Sequence, residues 1–177
     1  MRSQARKVSK DDLYDIADKT CSVFLLYKIT KFDPSFKKET SSLPKYYCVD
    51  NGLRQSVLIP GRDDDGILFE NAIFLHLLRN LPDGQKLCYY QGIKECDFVI
   101  RTDTAVKELI QVCWEMKDRE TRDREINGIR EAASFTGCKK MTIVTREEEE
   151  LVQDEFGAIN IVPAWKWFLG RCLQLVD

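Results

Sequence analysis

Apolar and polar positions along the chain alternate with two periods, one helical and one extended. The strongest helical signal is the apolar run in residues 66–82, which predicts a helix buried over most of its surface. Three short extended runs follow, and their short connections predict an antiparallel meander. In chain order the predicted strands span residues 86–91, 94–102 and 107–116.

The rest of this half continues with helices and strands in turn. Residues 117–137 predict a helix capped by Asp118, with Arg119 and Asp123 spaced as an i,i+4 ion pair. A strand is predicted over residues 139–146, and the acidic stretch after it favours a surface helix or turn. A last short strand precedes a helix opened by Pro163. We expect that helix to bury Trp165, Phe168 and Leu169 or their neighbours.

The first part of the chain predicts a helix followed by a β-hairpin. Ser9 is placed to cap the helix, and "SVFLLYKITKF" and "KYYCVD" are the two strands around a loop at residues 33–44. The return strand is expected to stop at the turn signal Asn51-Gly52. This arrangement resembles the end of a winged helix. The polar stretch "IPGRDDDG" predicts a boundary that separates residues 1–62 from residues 63–177, with Asp65 as the N-cap of the next helix.

Composition is that of an ordinary globular protein, and the order of the predicted elements indicates a mixed α/β (α+β) class. The net charge is −2, but residues 1–45 hold ten lysines and arginines against six acids, a mildly basic region. The seven cysteines are odd in number and lack Cys-x-x-Cys spacing, which favours reduced thiols in a cytoplasmic protein. No apolar run approaches the roughly 18 residues of a membrane span.

Four side chains on consecutive predicted elements are candidates for chemistry. Glu70 lies in the apolar helix, where a carboxylate must be paired or face a site. Asp97 lies within the second predicted strand. Gln111 and Cys113 stand two apart on the third and therefore share a face of that strand.

The order helix, three strands, helix, strand, with these residues, resembles the restriction-endonuclease-like nuclease fold and its PD-(D/E)XK motif. A more specific resemblance covers nearly the whole chain. The segments "YYCVDNGLRQSV", "GILFENAIFLHLLRN", "KECDFVI", "IQVCWEMKDRETRDREINGI" and "INIVPAWKWFL" are similar to the C-terminal domain of unknown function of prokaryotic AAA+-type ATPases. In that family an ATPase portion comes first, then a winged-helix-like segment, then the nuclease-like domain.

The resemblance implies a metal site and also shows where this chain departs from it. Glu70 and Asp97 match the metal-binding acids, for which Mg²⁺ is the expected ion, while Gln111 stands at the second acid position as a weak ligand. Cys113 stands at the lysine position and supplies no positive charge, for which Lys117 is the candidate replacement. The chain has no G-x-x-x-x-G-K-[ST] run, so no ATP site is expected in it, and no cofactor is required.

Three hypotheses follow for function. The first is that the chain is a nuclease-like accessory domain that has lost catalysis, with the ATPase portion and DNA as expected partners. The second is that it is a weak Mg²⁺-dependent DNA phosphodiesterase. The third is that it is a structural partner of an ATPase domain.

Overall fold

The computed structural model describes residues 9–57, 65–155 and 157–173. The helices in this part of the chain are α1 (Lys10–Ser22), α2 (Phe36–Ser41), α3 (Asn51–Val57), α4 (Asp65–Arg79), α5 (Arg119–Thr136) and α6 (Ala164–Leu173). The strands are β1 (Leu26–Lys31), β2 (Lys45–Cys48), β3 (Lys86–Gln91), β4 (Glu95–Arg101), β5 (Val106–Cys113), β6 (Met141–Thr145), β7 (Glu150–Asp154) and β8 (Gly157–Pro163).

The described strands form one mixed sheet in the order β2-β1-β3-β4-β5-β6-β8-β7. Strands β3, β4 and β5 are antiparallel neighbours, as the meander prediction required. Strand β6 then pairs in parallel with β5 and β8. The mixed α/β class and the core order α-β-β-β-α-β, from α4 to β6, are confirmed.

Two apolar cores lie on opposite faces of the sheet. Helix α5 covers one face with Ile126, Ile129 and the alanines at 132 and 133, which pack on Leu109 of β5. Helices α4 and α6 cover the other face, where Phe74 and Trp167 are buried. The face on which a side chain lies therefore decides which helix it can meet.

Two of the three predicted helix caps, Ser9 and Asp118, are confirmed, whereas Asp65 is the first residue of α4 and not the cap before it. The Ser9 hydroxyl accepts a hydrogen bond from the Asp12 backbone N–H (3.1 Å), and Asp12 accepts one from the Ser9 N–H (3.0 Å). At α5 the Asp118 carboxylate accepts a hydrogen bond from the Thr121 N–H (2.7 Å), which confirms the predicted cap. The helix ends at Gly137, whose φ of 72° is the left-handed conformation that glycine adopts readily.

Two local predictions in the first part of the chain are wrong. Helix α2 lies inside the predicted hairpin loop. Asn51-Gly52 does not form a turn but begins α3, because the Asp50 carboxylate accepts a hydrogen bond from the Leu53 N–H (2.8 Å) and stabilises a helix start.

One prediction near the end of the chain is also wrong, and in the last helix it is neighbours of the named residues that are buried. The acidic stretch contains strand β7 and not a helix or turn, because Val152 pairs with Ile159 of β8 and completes the sheet edge. On α6, Trp165 is 62% exposed and Leu169 is 60% exposed, whereas the neighbouring Trp167 is buried. A helix on the surface of a sheet buries only one side, and the buried side of α6 includes Ala164 and Trp167.

The predicted boundary between residues 62 and 63 lies outside the described residues, and the two-domain division stays a prediction. The sheet runs across it, since Thr30 of β1 pairs in parallel with Cys88 of β3. Within the described residues, no helix is long and apolar enough to cross a membrane.

Candidate functional site

A β-bulge in β4 sets the position of Asp97. Between the pairs Cys88–Val99 and Tyr90–Cys96, two steps along β3 correspond to three along β4. The Asp97 carboxylate accepts a hydrogen bond from the Val112 N–H of β5 (3.0 Å), next to the last paired residues of the two strands. The Asp97 side chain is only 9% exposed. Because it is buried and bonded to the backbone of β5, the carboxylate has a fixed position at the edge of the strand pair.

A lysine from the first part of the chain meets this carboxylate. Lys45 of β2 places its ammonium 3.1 Å from Asp97 Oδ1 and 3.4 Å from Glu70 Oε1, and it forms a third ion pair with Glu95. The Tyr47 hydroxyl donates a hydrogen bond to the same oxygen of Glu70 (2.7 Å). We call these five residues the Lys45 cluster. It unites β2, α4 and β4, which are far apart in sequence.

Helix α4 fixes strand β2 against the cluster through Asn71. The buried amide of Asn71 accepts a hydrogen bond from the Cys48 N–H (2.8 Å) and donates one to the Cys48 carbonyl (3.0 Å). It thus pairs with the backbone of an edge strand as another strand would. Asn71 also donates to the Asn51 side chain (2.9 Å), whose own amide donates to the Leu68 carbonyl (2.8 Å).

Burial and mutual charge shift the protonation of the cluster. Burial, and then the Glu70 carboxylate, raise the pKa of Asp97 to about 7 against the attraction of Lys45. Burial alone would lower the pKa of Lys45, but the attraction of Asp97, Glu70 and Glu95 outweighs it and raises that pKa. Burial and Glu70 raise the pKa of Tyr47 far above its usual value, so its phenol remains a hydrogen-bond donor.

Gln111 and Cys113 share a strand face, as the spacing predicted, and that face is turned toward α5. The Gln111 amide donates a hydrogen bond to Glu125 Oε2 of α5 (2.6 Å), while its carbonyl oxygen accepts one from the Asp97 N–H (3.1 Å). Arg124 in turn pairs with Glu125 (2.6 Å). Gln111 therefore touches the backbone of Asp97, on the side away from Glu70.

Cys113 belongs to the apolar core beneath α5. Its thiol donates a weak hydrogen bond to the Glu115 carbonyl (3.2 Å), and burial raises the pKa of Cys113 to about 12, so it is a neutral thiol. On the opposite face, toward α4, β5 presents apolar side chains, and Trp114 just beyond the strand packs edge-on against Phe69 (centroids 5.3 Å apart).

Lys117 lies beyond the end of β5. Its side chain is 75% exposed, and its ammonium is 3.1 Å from Glu115 Oε1. The structure thus brings Glu70 and Asp97 together, gives Gln111 a contact to Asp97, and places Cys113 and Lys117 in other surroundings. The catalytic and metal-binding roles expected for these residues stay predictions.

Sequence reasoning did not identify Lys45, Tyr47 or Glu95. Alternation along β2 places Lys45 and Tyr47 on one face, a pattern that was available in "KYYC". That pattern does not reveal which strand or helix the face meets. Glu95 stands two residues before Asp97, and only the bulge and the lysine give it a partner in the cluster.

The Lys45 cluster has oxygen atoms that suit a metal ion, but a lysine ammonium already lies among them. Three carboxylates are the hard oxygen ligands that Mg²⁺ prefers. The ammonium of Lys45 lies among them and uses an oxygen from each. Across the described residues, no group of three or more His, Cys, Asp or Glu side chains is arranged to hold a metal ion. The residues as they stand do not fit a divalent cation.

Comparisons with known proteins give relatives without a stated activity. No protein-family model matches the chain. It is 30% identical over 171 residues to an uncharacterized protein of Methanocaldococcus jannaschii, a match that covers 92% of this chain and 37% of that protein. It is 27% identical over 150 residues to an uncharacterized protein of Haemophilus influenzae, covering 84% and 34%. The chain spans about a third of the length of these curated relatives.

A comparison with solved structures also gives a weak similarity. It is the refined half-complex of Thermococcus gammatolerans McrB AAA+ hexamers with bound McrC, at a TM-score of 0.43 and 16% identity. The match covers 63% of this chain and 33% of that chain. A likeness of this size is too low to establish a common fold.

Proposed function

We propose that this chain is a nuclease-like accessory domain of an AAA+-type ATPase family protein, that it lacks nuclease catalysis, and that the ATPase portion is its partner. Two observations support the family part. Five segments resemble that family in order along the chain. Two relatives are far longer than this chain, so they hold further residues in which an ATPase portion can lie.

The orientation of Gln111 carries the proposal that catalysis is lost. Nuclease chemistry of the PD-(D/E)XK type needs a metal held by acids from neighbouring strands, with charge directed at the scissile phosphate. Here Gln111 is directed to Glu125 on the α5 side. The α4 side of β5, which faces Glu70, carries Ile110 and Val112. Strand β5 therefore contributes neither an acid nor a lysine to the Lys45 cluster.

Cleavage of DNA tests this part directly. Plasmid and branched DNA are incubated with Mg²⁺ or Mn²⁺ and the wild type, Asp97→Ala or Asp103→Ala. Asp103 is the matched control because it is an exposed aspartate paired with Lys86 (2.7 Å) at the other end of β4. We expect all three proteins to leave the DNA as uncut as a reaction without protein does. Metal-dependent cutting that disappears in Asp97→Ala and persists in Asp103→Ala would overturn the proposal.

Co-elution tests the partner. The ATPase portion of the parent protein and this chain are purified separately, mixed and run by size exclusion with light scattering. We expect a complex of defined stoichiometry. Two species that elute independently at micromolar concentration would contradict the partnership.

A second candidate function, a weak Mg²⁺-dependent DNA phosphodiesterase, is favoured by one observation. Lys45 brings a lysine beside Glu70 and Asp97, and so supplies the positive charge that Cys113 lacks. Under this alternative Lys45→Ala abolishes cutting. Lys28→Ala, which removes an exposed lysine of β1 that pairs with Asp18 of α1, leaves cutting unchanged.

DNA contact is a further part of the proposal, motivated by the basic residues 1–45 and the winged-helix resemblance. Binding through lysines and arginines releases counterions, so affinity should fall steeply as salt rises. Fluorescence anisotropy at several salt concentrations measures this slope. Binding that is missing even at low ionic strength would contradict DNA contact.

A further inference from the structure

The Lys45 ammonium has a carboxylate for each of its hydrogens. A lysine ammonium is a compact charge with three N–H donors. Glu70, Glu95 and Asp97 each form an ion pair with it. The three N–H donors of Lys45 therefore match three carboxylates in number, and the ammonium is their shared counter-ion.

A divalent metal would need the same oxygens. Mg²⁺ takes oxygen ligands at about 2.0–2.1 Å in octahedral geometry and favours carboxylates. A metal bound there would lie within a few ångströms of the ammonium, where two cations repel strongly in a half-buried site. Lys45 and a metal ion therefore compete for the oxygens of Glu70 and Asp97 that now face the ammonium.

We propose that Lys45 is the resident cation of this cluster and competes with divalent metal ions for Glu70, Glu95 and Asp97, so that displacement of Lys45 opens a metal site. The inference deepens the proposed function and rests on it, because it gives a physical reason why the acids of a nuclease-like core stay inactive. It assigns an autoinhibitory contact to Lys45 of β2.

The place of Lys45 in the sheet makes displacement feasible. Strand β2 is four residues long, lies at the edge of the sheet and pairs with β1 alone among the described strands. On its other side it is held by the amide of Asn71, by the Lys45 ion pairs and by Tyr47, which stacks on Phe74 (centroids 4.1 Å apart) and donates a hydrogen bond to Glu70. Short edge elements with few bonds open more readily than central strands. A partner that pulls β2 away would leave three carboxylates without a counter-ion.

Metal titration tests the competition. Mn²⁺ binding is measured by isothermal calorimetry and by electron paramagnetic resonance for the wild type, Lys45→Met, Lys45→Arg and Lys28→Met. We expect Lys45→Met to bind one Mn²⁺ about tenfold tighter than the wild type or more, since a like charge is removed from the site. Lys45→Arg keeps the charge and Lys28→Met leaves the cluster intact, so both should bind as the wild type does. Adding Asp97→Asn to Lys45→Met should abolish the gain.

Equal Mn²⁺ affinity in the wild type and Lys45→Met would overturn the inference. Acetylation of the folded wild type, followed by peptide mass spectrometry, tests it where Lys45→Met does not fold. We expect Lys45 to react about tenfold more slowly than Lys28, because three carboxylates hold its ammonium and its side chain is 23% exposed, whereas Lys28 has one such partner and is 44% exposed. A rate equal to that of Lys28 would contradict the inference. DNA cutting by the wild type would contradict the proposed function, whereas equal metal affinities would contradict this inference alone.

Discussion

Replacing Gln111 by glutamate restores an acid at the motif position, and the structure predicts that it destabilises the protein. Gln111 Nε2 donates a hydrogen bond to Glu125 Oε2 at 2.6 Å, in a buried place. In Gln111→Glu the donor becomes an acceptor, and two carboxylate oxygens meet where a hydrogen bond was. The contact to the Asp97 N–H survives, because a carboxylate oxygen also accepts it.

The expected loss is about 3–5 kcal/mol of the free energy of unfolding. A hydrogen bond to a charged group contributes about 1.5–3 kcal/mol. Leaving a buried charge without its partner typically destabilises by about 3–5 kcal/mol, and Arg124 offsets part of it because it already pairs with Glu125. Urea denaturation followed by circular dichroism at neutral pH measures the change.

Two further proteins make the reasoning refutable. Gln153→Glu places the same substitution at an exposed position on the edge strand β7 and should change the stability by less than about 0.5 kcal/mol. Gln111→Glu combined with Glu125→Gln reverses the amide and the carboxylate, and should recover at least half of the loss. A Gln111→Glu protein as stable as the wild type, or a double variant no more stable than the single one, would refute the assigned contact.

The other predictions concern the elements around the cluster. Asn71→Ala should lower the free energy of unfolding by about 2–4 kcal/mol, because it leaves the N–H and the carbonyl of Cys48 without their side-chain partner, while Asn127→Ala at an exposed position of α5 should stay within about 0.5 kcal/mol; urea denaturation measures both. Gly128→Ala should destabilise by about 1–3 kcal/mol, since its Cβ would lie 2.5 Å from a backbone oxygen of β4, whereas Gly170→Ala on α6 meets nothing within 4 Å and should stabilise by about 0.5–1 kcal/mol; thermal melts of both variants decide this. Asp97→Asn should gain stability relative to the wild type as the pH rises from about 4 to about 7. The folded wild type, with the pKa of Asp97 raised to about 7, binds more protons than the unfolded chain in that window, and its stability falls by up to about 1.4 kcal/mol per pH unit. Urea denaturation of both proteins across that window measures the difference, and a constant difference would contradict the shift.

Local signals in the sequence were sufficient for the core elements. The three runs of β3, β4 and β5 are short, rich in apolar residues and separated by turns, and all three were found within a few residues of their ends. The Asp118 cap and the Arg119–Asp123 ion pair (3.6 Å) depend on neighbours along one helix, so spacing alone identifies them.

The bulge explains why the site could be predicted only in part. Strict alternation along β4 places Asp97 on the face of Val99, the α5 side, where Gln111 also lies. The extra residue in β4 instead turns the Asp97 carboxylate toward Glu70 and Lys45. Alternation reports faces only for a regular strand, and nothing in "KECDFVI" marks the irregularity.

Lys45 could not be placed from the sequence because its position depends on long-range pairing. It is 25 residues from Glu70 and 52 from Asp97. Strand β2 reaches them only because β1 pairs in parallel with β3 and so adds the hairpin to the core sheet. The same dependence on strand partners explains the missed β7, whose acidic sequence favours a strand only beside β8.

A crystal structure grown in Mn²⁺, with data collected for anomalous scattering, tests the central claim most directly. We expect Lys45 Nζ to remain in contact with Glu70 and Asp97, and no manganese peak to lie between these carboxylates. A manganese peak coordinated by both, with Lys45 moved away, would contradict the claim that the lysine holds the site in an inactive state.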